Sequence, residues 1–165
     1  MSTVKGRFAI FGTGQDNRSH TPEKGVCLSS FLIIRKGEDV LLGKVGDAEL
    51  WKEKWCLPWI EERWRDKWVL PASHLLMGEH PNDAANRILR EMLGQESLTP
   101  TYHSTQSFVG ETGHWDVCFI YTAQVDREVP KPAWFSELGF LNVKELEKSS
   151  FGRGHDEVLK EVDGA

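Results

Sequence analysis

The sequence predicts an α/β fold built as one domain, a mixed β-sheet carrying two or three helices. Three observations lead there. Short strand-like apolar runs recur on both sides of one well-capped helical segment. No low-complexity tract or linker divides the 165 residues. A chain of that length buries a substantial core without disulfides or structural metals.

Charged residues make up 27% of the chain and hydrophobic ones 39%, the balance of a soluble globular protein. A net charge of -5 argues against coating extended nucleic acid, which needs clustered Lys and Arg, but leaves room for a small anionic ligand. No run reads as a signal peptide or a membrane span, so a cytoplasmic protein is expected. Cys27, Cys56 and Cys118 are widely spaced and read as buried free thiols of a reducing compartment. No Cys/His spacing points to zinc, and no Ser/His/Asp order points to a nucleophilic triad.

Residues 1–24 read as an N-terminal extension, with a lone Gly12-x-Gly14 best taken as a turn. Residues 26–35 (VCLSSFLIIR) and 40–45 (VLLGKV) form a hairpin across the turn residues 36–39. Residues 49–68 are a Trp-rich insertion holding five of the seven tryptophans, in which 59–67 suits a turn or two of helix. Residues 81–93 give the strongest helix. Pro81 suits its first position, Asn82 and Asp83 sit at its positive end, and Gly94 suits a left-handed stop. Strands follow at 102–109, 115–125 and 139–143, and short helical pieces at 144–148 and 155–162.

Residues 73–95 (SHLLMGEHPNDAANRILREMLGQ) carry a spaced pattern: Gly78-Glu79, seven residues, Arg87, then Leu89, Glu91 and Gly94. Leu70-Pro71 before it, Ala84-Ala85 inside it and WFSELGFLNVKEL (134–146) after it add to the texture. The pattern resembles the box of the Nudix hydrolase superfamily, in a divergent form. Ser73 stands where the motif opens with Gly, Ile88 and Met92 where it has glutamates, and Gln95 where it ends on an apolar residue. The resemblance implies a Nudix-type α/β/α sandwich with a mixed sheet, and often a homodimer. It also implies Mg2+ or Mn2+ held by the box glutamates to hydrolyse a nucleoside diphosphate linked to another moiety.

The substitutions bear on that chemistry. At about 100° per residue, positions 88, 91 and 92 share one helix face. A face of three carboxylates becomes Ile88, Glu91 and Met92, extending the apolar stripe of Ala84, Ala85, Leu89 and Leu93. Hard divalent cations want oxygen ligands, which Ile and Met lack. Glu91 and Glu79 remain as candidate metal ligands and, with Arg87 and the loop acid Glu137, as candidate catalytic residues. Glu79 and Arg87 equally suit a brace between loop and helix. Glu111 and Asp116 are further loop acids; His74 and His80 lie in and after the box loop, and His80, at the cap position before Pro81, reads as a local hydrogen-bonding residue. Trp59 and Trp64 are candidates for a base-stacking platform, or for a protein contact. Two functions stay open: a metal-dependent hydrolase of a nucleotide-like substrate, or a Nudix-fold binding module for a nucleotide or a protein partner.

Overall fold

A computed structural model describes residues 10–11, 25–46, 65–110 and 113–163. Among the described residues eight strands form one mixed sheet, and its axis is β2 (Val26–Lys36). Residues 31–34 of β2 are buried on both sides, which is why this strand reads as a continuous apolar run rather than an alternation. Its long partner is β7 (Trp115–Gln124), parallel and in register from Val26↔Trp115 to Arg35↔Gln124. On its other edge lie β1 (Ile10–Phe11) and β5 (Ala72–His74), both antiparallel.

The hairpin to β3 (Asp39–Val45) turns at Gly37, whose φ of 62° lies in the left-handed region that two-residue turns demand. Beyond the pair Arg35↔Val40, β3 leaves β2 and pairs instead with β4 (Trp68–Val69) and β8 (Phe135–Leu141). Antiparallel to β7, β6 (Thr101–Val109) ends the sheet's main path.

Two helices cover opposite faces. α1 (Pro81–Arg87) starts where expected: Pro81 opens it, and His80 Nδ1 accepts the Asn82 N–H at 3.1 Å. It then widens into a π-helical turn (Ile88–Met92), closed by Leu93 N–H donating to Ile88 O at 3.1 Å and ended by Gly94 at φ 64°. The uniform helix expected over 81–93 is therefore α-helical only in its first half. Ala85, Ile88, Leu89, Met92 and Leu93 pack in one buried cluster with Leu32, Ile34, Leu41, Tyr121 and Phe135.

On the other face, α2 (His155–Asp163) sets Val158 and Leu159 among Phe31, Ile33, Leu42, Cys118 and Ile120. Helix, mixed sheet, helix is the expected α/β/α sandwich. Two expectations change in detail. β8 begins at Phe135 rather than 139: Leu138 and Glu137 continue the ladder opposite Gly43 and Lys44, and Ser136 is the extra residue of a bulge before Phe135 pairs with Val45. The helical piece at 144–148 is two 3-10 turns, Val143–Glu145 and Lys148–Ser150. Cys27 and Cys118 are buried free thiols. Residues 12–24, most of the 49–68 insertion with Trp59 and Trp64, Cys56, and Glu111 lie outside the described residues. Among the described residues no helix is long and apolar enough to cross a membrane.

Candidate functional site

The box begins on β5, where Ser73 and His74 pair with Ser30 and Ser29 of β2. The chain then turns through Gly78, whose φ of 81° excludes an ordinary side chain. Glu79 closes that loop on itself: its Oε2 accepts the Leu76 N–H at 2.8 Å, and its own N–H donates to Leu76 O at 2.9 Å.

Two helical turns on, Arg87 grips the same carboxylate in a fork. Its Nε donates to Glu79 Oε1 at 2.7 Å and its Nη2 to Oε2 at 2.9 Å. The remaining donors hold the strand before the loop, Nη2 to His74 O at 2.9 Å and Nη1 to Ser73 Oγ at 3.3 Å. Arg87 is only 5% exposed. Strand, loop and helix are tied together by this one ion pair, and both Glu79 oxygens are engaged in it. Ser73, standing in the motif's glycine position, supplies one of the acceptors.

The next turn holds the replaced positions. Ile88 and Met92 are both 0% exposed inside the α1-side cluster. The Met92 carbonyl accepts the Trp134 indole N–H at 2.9 Å, so the chain leading into β8 is latched to the end of the helix. Glu91 sits on the flank, its side chain 21% exposed and 3.3 Å from Arg90 Nη2. One carboxylate at this turn, next to a guanidinium, offers a hard dication too few oxygens.

Glu137 is not brought to Glu91. In the β3–β8 register it stands opposite Lys44, which holds its carboxylate at 3.0 Å, and it is 56% exposed. Lys44 shares a sheet face with Leu42 of the α2-side cluster, whereas Leu138, the next residue of β8, packs toward α1. Glu137 and Glu91 therefore stand on opposite sides of the sheet.

That second face carries a polar group absent from the sequence reading. Cys27, Ser29 and Phe31 alternate onto it from β2, and Asp116, Cys118 and Ile120 from β7. Cys27 Sγ donates to Asp116 Oδ1 at 2.6 Å, and His114 Nε2 lies 3.6 Å from the same oxygen. Nearby, Ser29 Oγ bonds His74 Nδ1 at 2.9 Å. Burial pushes the His74 imidazole down to about 3, with the Arg153 guanidinium adding to the effect. His155, whose Nδ1 accepts the Leu70 N–H at 2.9 Å, is also held well below its ordinary value by burial. Burial and then the Asp116 charge push the Cys118 thiol up to about 12, and the same two causes raise Cys27.

Among the described residues, the one group of three potential metal ligands is Cys27, His114 and Asp116, not the box acids. The signals in sequence were present but disconnected. Asp116 read as a loop acid and Cys27 as a strand thiol, and only the parallel β2–β7 register, with Cys27 opposite Asp116, joins them.

No protein-family model matches the chain, and no curated protein sequence matches it. Solved structures do. A NUDIX hydrolase from Nitrosomonas europaea matches with a TM-score of 0.59 at 16% identity, over 84% of this chain and 88% of that one. The MutT protein from Methanosarcina mazei matches with a TM-score of 0.62 at 14% identity, over 84% and 94%. The NUDIX domain of Shewanella oneidensis NrtR, in complex with ADP ribose, matches with a TM-score of 0.58 at 14% identity, over 84% and 86%. At such identities the likeness is one of fold, and the fold is that of the Nudix proteins.

Proposed function

We propose that this protein is a Nudix-fold binding module for a nucleotide-type ligand, without the magnesium- or manganese-dependent hydrolysis associated with an intact box. The burial of Ile88 and Met92 carries this reading. Both side chains are at 0% exposure in the apolar cluster beneath the helix, where glutamates would have to stand to hold a cation. Magnesium asks for near-octahedral oxygen coordination, and Ile88, Met92 and a flanking Glu91 do not fit it. Glu79 and Arg87 serve as a brace that shapes the loop, since each uses its polar atoms on the other or on nearby backbone.

The ligand class rests on the fold, which in NrtR carries ADP ribose. Trp59 and Trp64 remain the proposed stacking surface for a base. A second reading, a residual hydrolase, is favoured by Glu91, retained in its motif position with its side chain partly exposed.

One experiment separates the two. Nucleoside triphosphates, nucleotide sugars and dinucleotides are incubated with the protein and magnesium or manganese, and the same compounds are titrated calorimetrically without metal. The binding reading expects saturable binding of at least one compound and no turnover above a buffer control. Turnover abolished by Glu91→Gln would establish the hydrolase instead. An absence of both binding and turnover would remove the nucleotide from either reading.

A further inference from the structure

We propose that Cys27, His114 and Asp116 form a binding site for a thiophilic divalent cation of the zinc class, with three protein ligands and a fourth position open to water or a ligand atom. The site is built by the sheet itself. Parallel pairing sets Cys27 directly opposite Asp116 on adjacent strands, with both side chains on the α2 face. The third ligand is held beside them just ahead of β7: Gly110 N–H donates to His114 O at 2.9 Å, and Gly113 takes a φ of 74°. Cys27 and His114 are each 1% exposed, while the Asp116 side chain is 32% exposed. Two buried donors thus converge on a carboxylate that reaches solvent, which gives an ion its way in.

The distances suit a tetrahedral ion. The three ligand atoms lie within 4.8 Å of one another. Zinc bonds of about 2.3 Å to sulfur and about 2.0–2.1 Å to nitrogen or oxygen place neighbouring ligand atoms roughly 3.3–3.6 Å apart. The His114 Nε2 to Asp116 Oδ1 separation of 3.6 Å already meets this. The Cys27 Sγ to Oδ1 contact of 2.6 Å is a hydrogen bond, and it opens by about 1 Å when the ion replaces the proton between them.

Charge and softness select the metal. A thiolate and a carboxylate neutralise a dication, and the mixed sulfur, nitrogen and oxygen set favours zinc, cobalt or cadmium over magnesium. The Arg153 guanidinium lies close enough to act on Cys27, and its positive charge opposes a cation there, so affinity is expected to be moderate. This site does not rebuild the box chemistry. It lies across the sheet from Ile88 and Met92, and its failure would leave the binding-module reading intact.

The 165-residue chain, stripped with chelator, is titrated with zinc and separately with cobalt(II). We expect one ion per chain bound at micromolar dissociation constant, unaffected by excess magnesium. The cobalt form should show a thiolate-to-metal charge-transfer band with tetrahedral visible absorption. Cys27→Ser should abolish that band, and Asp116→Asn should weaken binding at least tenfold. A cobalt spectrum without thiolate ligation in the unaltered protein, or a band that survives Cys27→Ser, overturns the proposal. Should Cys27→Ser fail to fold, alkylation of the unaltered protein mapped by mass spectrometry decides: zinc must protect Cys27, and equal labelling with and without zinc overturns it as well.

Discussion

Placing glutamate at position 88 or 92 tests whether the helix face that carries glutamates in the Nudix motif is core in this chain. Each side chain is fully buried within the cluster of Leu32, Ile34, Leu89 and Phe135. Replacing Ile88 or Met92 forfeits roughly 1.5–3 kcal/mol of apolar burial. A carboxyl group in that cluster, even when protonated, costs roughly 1–3 kcal/mol more for want of a hydrogen-bond partner. Each of Ile88→Glu and Met92→Glu should therefore lose about 2.5–6 kcal/mol. The double variant should lose about 5–12 kcal/mol, comparable with a domain's whole stability. Met92→Leu, which nearly conserves volume, should cost under about 1.5 kcal/mol. Urea unfolding of the single variants reads these values directly. Manganese should restore part of the loss if the new carboxylates reach an ion together, about 2.7 kcal/mol at a hundredfold excess over the dissociation constant. Single variants as stable as the parent and indifferent to manganese would refute both the packing argument and the alignment of the box.

Two further outcomes follow from the same structure. Glu79→Gln leaves Arg87 buried with half a partner and should cost about 3–5 kcal/mol. Arg87→Met added to it should cost far less than its own single-variant loss, so a double-mutant cycle that is additive would dismiss the brace. The buried imidazoles set an acid limit. His74 is held at about 3 in the folded state, and His155 well below its ordinary value, against about 6.5 unfolded. A group whose folded value is depressed takes its proton more readily when unfolded, so stability falls as pH drops below about 6.5, and for His74 the decline continues to about 3. The slope should approach about 1.4 kcal/mol per pH unit for each histidine. Replacing His74 with Gln should flatten urea midpoints measured between pH 6.5 and 4, and an unchanged slope would refute the assignment.

Much of the architecture is local and was legible in the chain. Gly37 between two apolar runs announces a hairpin, because the left-handed turn and the flanking apolar runs both reside within a few residues. Pro81, His80 and Gly94 mark the ends of the box helix for the same reason. The spacing of Glu79 and Arg87, with Ile88 and Met92 where the motif has glutamates, already showed a motif frame whose acid was reduced. Those features sufficed to expect the α/β/α Nudix fold.

Tertiary packing decided the rest. Whether Ile88 and Met92 point into the core depends on what β2, β3 and β8 place beneath the helix, and helix periodicity names only the shared face. Glu137 sits in a promising stretch of sequence, yet the antiparallel β3–β8 register puts it beside Lys44 on the opposite side of the sheet. The pairing of Cys27 with Asp116 spans 89 residues of chain. Nothing in the order of residues links them, because a parallel register is set by the crossover and by burial of both strands, not by any turn between them. Short-range stereochemistry wrote the elements; the long-range registers chose which side chains meet.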